Sequence, residues 1–359
     1  MNNSIFRRLF HLSSCCFLGL LVLPAMAQNT GSMPADQAVI LQYHHISTAT
    51  PAITSTSPED FRRHMDYLAS NNFTILSLQD ILARLQNGES LPEFSAAITF
   101  DDGYLSVYTD ALPVLREYNW PFTVFVTTGL LESNSSLYAS WDQIREMAES
   151  GATIANHTVS HPYFLDRQTG ETENEWLDGI RSEITIAEES ILRETGQSHR
   201  LLAYPYGEYD PQIQSLIAEL GFIGIGQHSG PINGSSDFTA LPRFPFSGIY
   251  VSMNTFPNKV RSLAFTLDNL APQSPLTSER SPSAEIDFSA GTVGLNQLAC
   301  YNNNDVIEIQ LLDAEAQRFQ VNSHIENRSR RFRYNCTAPG ANGRYYWLSI
   351  PWVNPAIPE

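Results

Sequence analysis

Two stretches of this 359-residue chain combine residue types that do chemistry. Ala96–Tyr104 reads AAITFDDGY, an apolar run that ends in two adjacent acids and a glycine. Asn156–His161 reads NHTVSH, two histidines four residues apart, also at the end of an apolar run. Adjacent carboxylates repel each other, so at one point in a fold they usually meet a metal or a partner cation. Asp101 and Asp102 on their own read equally well as a helix N-cap pair ahead of Leu105–Leu115. The two histidines on their own also have a structural reading. Combined, one Asp and two His form a ligand set that leaves positions open on a zinc-like ion, the pattern of a catalytic site. Water on such an ion ionises near neutral pH, so the chemistry indicated is hydrolysis. A third run, Leu201–Asp210 (LLAYPYGEYD), ends in Pro-Tyr-Gly. It reads as a plain loop, or as a tight turn that aims an aromatic at a site.

All three runs sit at the ends of apolar segments, and those segments belong to a longer alternation. Strand candidates are Ala38–Ile46, Phe73–Leu76, Ala96–Phe100, Phe122–Thr127, Thr153–Asn156, Leu201–Tyr204 and Phe222–Gly226. Most are continuously apolar, as strands covered on both faces require. Helical patterns separate them. One starts at Ser57-Pro58-Glu59-Asp60, with a cap residue and a first-turn proline, and runs through Phe61–Leu68. The others cover Leu78–Gln86, Ser106–Tyr118, Trp141–Ser150, Glu175–Thr195 and Pro211–Leu220. Such alternation predicts an α/β chain with a parallel sheet, and a β/α barrel at this length. In a barrel, functional groups collect at the C-terminal strand ends, where the three motifs lie.

The pattern changes after about residue 270. Ala271–Ser283 is rich in Pro and Ser and reads as a linker. Beyond it, Ala284–Phe288, Val306–Leu311, Gln317–Val321, Arg331–Tyr334 and Arg344–Ile350 alternate. They predict a small antiparallel, sandwich-like β domain over 284–359. Tyr345, Tyr346, Trp347 and Trp352 within it could form a sugar-stacking face or simply a core. A domain beyond a linker is expected to be dispensable for action on short oligomers.

The first 27 residues have the parts of a secretory signal: Arg7 and Arg8, an apolar Cys16–Leu23, and Ala25-Met26-Ala27 before the expected cut. Removing that segment takes away Arg7 and Arg8 and no acid, so the net charge becomes more negative, from −17 to −19. Export to the periplasm or the medium is expected. No apolar segment reaches the length of a membrane span, and a monomer is expected. Cys300 and Cys336 would then remain as an even pair, which in an exported chain reads as one disulfide. With 38 acids against 21 basic residues and a single lysine, Lys259, the chain lacks the basic patch that nucleic acid requires.

In this order TFDDGY, HTVSH and AYPYG resemble the motifs of the polysaccharide deacetylases of the NodB-homology family (carbohydrate esterase family 4), over roughly residues 38–250. The resemblance implies a distorted (β/α) barrel of the NodB type, within 28–270. It implies removal of acetyl groups from N-acetylglucosamine units of a polysaccharide, with one divalent ion, expected to be zinc. Carried over position by position, Asp101 is the general base, and Asp102, His157 and His161 hold the metal. Thr158 braces the metal loop. Pro205 and Tyr206 form a wall, with the Tyr206 N–H donating to the oxyanion. Two departures stand out. Many members have Arg at the position of Ala203, paired with the catalytic Asp; Arg243, in LPRFPF, is the replacement expected here. The usual Leu-x-His of the general acid is absent as such, and His228, in GIGQHSGPI, is the candidate acid. His44 and His45 are its rivals, while His64, His199 and His324 are expected at the surface. AYPYG and the early YHHI look most like the branch acting on β-1,6-linked poly-N-acetylglucosamine. The same residues would also serve an O-acetyl esterase. A non-catalytic glycan-binding protein would be marked by loss of one of them, and none is lost.

Overall fold

Continuous apolar strands need cover on both faces, and the fold supplies it by laying helices over a parallel sheet. The computed structural model describes residues 36–133 and 135–358. The expected signal segment 1–27, with Cys15 and Cys16, lies outside the described residues. In chain order the first layer comprises β1 (Gln37–Tyr43), the short pair β2 (His45–Ile46) and β3 (Ser55–Thr56), and α1 (Pro58–Ser70). Next come β4 (Thr74–Ile75), α2 (Leu78–Gln86), β5 (Ser95–Phe100), and a π-helical turn (Val107–Ala111) that leads into α3 (Leu112–Tyr118). Then follow β6 (Phe122–Val126), α4 (Thr128–Leu131), α5 (Trp141–Glu149), β7 (Ala152–Asn156), α6 (Glu173–Thr195), β8 (Leu201–Ala203) and α7 (Pro211–Glu219). The layer closes with β9 (Ile223–Ile225), β10 (Pro231–Asn233), β11 (Phe244–Pro245) and α8 (Phe256–Val260).

The sheet order is β10-β1-β5-β6-β7-β8-β9, with β4 on β5 and β11 on β1. All pairings are parallel except β10 with β1. No ladder joins β9 to β10 among the described residues, so the curled sheet forms an open half-barrel. Every residue of β5, β6 and β7 is buried. Each large apolar side chain so covered contributes about 1.5–3 kcal/mol of transfer free energy.

The helices start where side chains can satisfy their first N–H groups. Ser57 accepts from Asp60 N at 3.0 Å, and Ser140/Gln143 and Thr172/Glu175 form capping boxes. The single helix expected over Ser106–Tyr118 is split. Pro113 has no N–H to return to the preceding turn, and the backbone widens into a π turn just before it.

The second layer comprises β12 (Leu263–Ala264), β13 (Leu267–Ala271), β14 (Ser283–Phe288), β15 (Ala299–Asn302), β16 (Asp305–Asp313), β17 (Arg318–Asn322), β18 (Arg331–Pro339) and β19 (Tyr345–Val353). They form one eight-stranded sheet, β12-β19-β18-β15-β16-β17-β14-β13, antiparallel except for β12 on β19. Its two halves share a core that includes Ile286, Val321, Tyr334, Ile350 and Trp352. The Cys300–Cys336 disulfide joins directly opposed residues of β15 and β18.

The segment 271–283 is a loop inside this sheet. It connects β13 to its partner β14 and is pinned where Thr277 N donates to Val353 O and Val353 N to Pro275 O. Proline and serine punctuate loops and linkers alike, so composition did not separate the two. The change of layer comes earlier, between α8 and β12. The two layers also share direct contacts. Trp347 Nε1 donates to Ser229 Oγ (3.0 Å), Arg333 to Gln227 O (3.1 Å) and Arg344 Nε to Arg261 O (2.6 Å). No helix among the described residues is long and apolar enough to cross a membrane.

Candidate active site

Parallel register brings the first catalytic candidate beside its neighbours. β1 and β5 pair with Tyr43 opposite Phe100, so His44 and Asp101 leave the sheet side by side. Asp101 N donates to Tyr43 O at 3.0 Å. The Asp101 carboxylate has no exposed surface, and a buried charge must be fully paired. Arg243 supplies the pairing, with Nη1 to Oδ1 at 2.7 Å and Nη2 to Oδ2 at 2.8 Å. Gln42 Nε2 donates to Oδ2 at 2.7 Å. Arg243 is itself held by Gly226 O (3.0 Å) and Thr99 Oγ1 (3.1 Å). It arrives there because β11 lies parallel to β1, with Phe244 opposite Leu41. Burial pushes the Asp101 carboxyl up, but Arg243 and the nearby histidines outweigh it and hold the group at about 2. Asp101 is therefore ionised at neutral pH.

Asp102, His157 and His161 meet on the other side of Asp101, with one ligand atom from each within 4.8 Å of the others. Asp102 Oδ1 lies 3.3 Å from His157 Nε2 and 3.4 Å from His161 Nε2. His157 Nδ1 donates to Ala203 O at 2.8 Å, which leaves the Nε2 lone pair pointing into the cluster. That Nε2 is buried and has no hydrogen-bond partner. Two imidazole nitrogens and a carboxylate oxygen, one of them an orphan without a cation, fit a divalent metal ion.

The cluster is built on strained backbone. Asp102 (φ 72°), Thr158 (φ 69°), His161 (φ 57°) and Tyr206 (φ 57°) all occupy the left-handed region that non-glycine residues avoid. Hydrogen bonds hold them there. Asn156 Oδ1 accepts from Thr158 N at 2.9 Å, and Thr158 Oγ1 accepts from His161 N at 3.0 Å. Glu183, from α6, accepts from Val159 N (3.0 Å) and Ser160 N (2.8 Å). Gly129 lets the α4 turn approach closely, since a Cβ there would sit 2.7 Å from Val159 O. Aromatic pairs stand on both sides. His45 stacks on Tyr104 (3.5 Å), and Tyr104 on Tyr138 (5.1 Å). Opposite them Tyr163 stacks on Tyr206 (3.7 Å), whose ring meets His161 edge-on (4.4 Å).

Residues 88–225, which span this whole cluster, match the family described as polysaccharide deacetylase. The chain carries a polysaccharide deacetylase domain. It is similar to the poly-beta-1,6-N-acetyl-D-glucosamine N-deacetylase of Escherichia coli K12, 24% identical over 246 residues. That match covers 58% of this chain but only 36% of the relative. It is also similar to the protein of the same name from Staphylococcus epidermidis, 27% identical over 249 residues, covering 63% of this chain and 83% of that one. The solved structure of IcaB from Ammonifex degensii superposes with a TM-score of 0.54 at 24% identity, over 64% of this chain and 98% of that one. That likeness bears on the fold.

Six of the residues singled out in the sequence come together, five of them inside the matched range and Arg243 beyond it: Asp101, Asp102, His157, His161, Tyr206 and Arg243. Pro205 opens the Tyr206 turn. His228 does not join them. No hydrogen bond or ion pair links it to Asp101, Asp102, His157 or His161 among the described residues. Its ring instead lines a cavity of about 520 Å³ between the two layers, together with Tyr209 and Trp347. The chain after β9 turns toward the second sheet, where Ser229 bonds Asn335, and this carries His228 away. His44 is nearer, with Nε2 3.8 Å from Asp101 Oδ2.

His64 is not at the surface. It has no exposure, bonds Tyr43 Oη (3.0 Å) and Val251 O (2.8 Å), and stacks on Phe256. Its place on the apolar stripe Phe61, His64, Met65, Leu68 of α1 was the available signal. His199 is half-buried and His324 exposed. The aromatic group near the C-terminus divides. Trp352 is core, Tyr346 packs on Phe265, Trp347 sits between the layers, and Tyr345 is exposed.

Proposed function

We propose that this chain is an exported, zinc-dependent N-deacetylase acting on N-acetylglucosamine units of an extracellular or cell-wall polysaccharide, with poly-β-1,6-N-acetylglucosamine as the preferred class. The observation that carries the reading is the Asp102–His157–His161 cluster beside an ionised, fully paired Asp101. The names of the relatives support the substrate class.

Amide hydrolysis needs a nucleophilic water, a polarised carbonyl, a base, and an acid for the departing amine. Asp102, His157 and His161 would hold the ion, which when bound supplies Lewis acidity for the acyl oxygen and lowers the pKa of water. Asp101 is the base. Arg243 and Gln42 occupy its oxygens and fix its orientation, and Arg243 keeps it charged between turnovers. His44 delivers the proton to the leaving nitrogen. It is a partly exposed imidazole next to Asp101, and His228 lies elsewhere. The backbone N–H of Tyr206 donates to the developing oxyanion, and its ring walls the acyl pocket.

The test is acetate release from β-1,6- and β-1,4-linked N-acetylglucosamine oligomers, with a chelator and then with added zinc. Release that stops with chelator and returns with zinc is expected. Zinc-loaded protein that releases acetate only from acetylated xylan would replace this reading with an O-acetyl esterase.

A further inference from the structure

The turn that carries Tyr206 is held from the second sheet. Glu208, two residues beyond Tyr206, has no exposed surface. Its partners are two consecutive arginines, Arg330 just before β18 and Arg331 at its first position. Arg330 bonds it with Nε to Oε1 (2.6 Å) and Nη2 to Oε2 (2.8 Å), and Arg331 Nη1 bonds Oε1 at 2.8 Å. Arg330 also reaches Asp166 (2.7 Å), five residues past His161, and so ties the metal loop to the same strand. The Arg331 guanidinium lies over the Tyr206 ring at 5.1 Å and near that of Tyr163 at 5.9 Å. Tyr206 in turn meets His161. A chain of contacts therefore runs from β18 to the metal cluster through Tyr206, a residue whose left-handed backbone needs outside support.

We propose that Arg331 is a positioning residue of the deacetylase site, and that the second sheet completes that site by holding the Tyr206 turn in place. The inference rests on the deacetylase reading above. Arg330, 4% exposed and bonded to two acids and to Pro355 O, anchors the strand. Arg331 is more open, with 29% of its side chain exposed, and acts on the turn itself. A guanidinium can bond a carboxylate and lie flat on a ring at once, which an ammonium does less well. The geometry runs against a C-terminal segment that can be removed without consequence. Truncation after residue 270 would take away both arginines.

A donor to the oxyanion acts only in the transition state, so displacing it lowers kcat and leaves KM nearly unchanged. Displacements of about 1 Å can cost up to ~100-fold. The experiment uses full-length, zinc-loaded protein with Arg331→Met and Arg331→Lys. Acetate release from N-acetylglucosamine oligomers is expressed per bound zinc, and melting is followed in parallel. Arg331→Met is expected to lower kcat by roughly tenfold or more, with KM within about twofold and zinc stoichiometry intact. Arg331→Lys is expected to recover part of the rate. If Arg331→Met misfolds, the lysine variant carries the test, with a smaller loss of kcat at unchanged KM. Wild-type kcat in both variants overturns the proposal, as does a loss that follows zinc occupancy or melting alone. Wild-type protein that releases no acetate overturns the deacetylase reading itself, and this one with it.

Discussion

Replacing Arg243 with Met tests how Asp101 is kept charged. The substitution leaves a carboxylate with no exposed surface and removes two of its hydrogen bonds, at 2.7 and 2.8 Å, while the Gln42 contact stays. Breaking a buried ion pair by removing one partner costs about 3–5 kcal/mol, because the remaining charge is neither solvated nor neutralised. A chain of this size shifts by about 2 °C per kcal/mol, so the melting temperature should fall by roughly 6–10 °C. Arg243→Lys keeps the charge but cannot bond both oxygens, Thr99 and the Gly226 carbonyl together, and should fall between. The double variant Asp101→Asn with Arg243→Met removes both charges. It should regain most of the lost stability and remain inactive. The assay is thermal unfolding of zinc-loaded protein at neutral pH, with acetate release measured on the same samples. A single Arg243→Met variant that melts with the wild type would refute the argument. So would a double variant no more stable than the single one.

His157→Ala should bind less than stoichiometric zinc and release no acetate; metal analysis showing full occupancy would refute the ligand assignment. Burial holds His64 at about 4, against its ordinary 6.5, even though the Val251 hydrogen bond pulls the other way. The unfolded chain therefore takes up the proton first, so this contribution to stability is complete above pH ~6.5 and declines toward pH ~4, by about 3 kcal/mol. Urea midpoints at pH 7 and 4.5 should show that decline, and a smaller one in His64→Gln; equal declines would exclude His64 as a source. Cys300→Ser with Cys336→Ser opens a loop with a sequence separation of 36 and should cost about 4 kcal/mol on the loop-entropy estimate. An unchanged melting temperature would mean that the paired strands β15 and β18 suffice without it.

The alternation of apolar runs with capped helices placed most of the first sheet, because strands buried on both faces announce themselves by composition. The second sheet was legible in outline only. β12, β13 and β15 are short or half-exposed, and their pairing partners lie up to 83 residues away, at Leu263 and Tyr346 for β12. The sequence offered Arg243 as the source of a missing cation, and register explains how it arrives: β11 on β1 sets Phe244 opposite Leu41, and Arg243 just before it reaches Asp101. The same register explains the place of the proposed acid. His44 follows Tyr43 as Asp101 follows Phe100, so pairing β1 with β5 makes them neighbours. His228 is the acid expected from the sequence because it also follows an apolar strand. A strand end alone does not say which way the chain turns next, and there it turns toward the second sheet.

What the sequence could not disclose is strain and its support. Four of the eleven non-glycine residues with positive φ among the described residues are Asp102, Thr158, His161 and Tyr206. Nothing in DDGY, HTVSH or PYG marks a left-handed Asp, Thr, His or Tyr, since each type is at home in extended or helical backbone. The supports lie far along the chain. Glu183 stands on the middle of α6, where a solvated face would be the ordinary reading. Arg330 and Arg331 lie more than 120 residues beyond Glu208. Strained positions of this kind cost about 1–3 kcal/mol each and persist only where the surroundings over-determine them. Glu183 on the backbone of the metal loop, the ion-paired Glu208 and the second sheet are those surroundings, so a site composed of first-layer motifs depends on residues that no local motif contains.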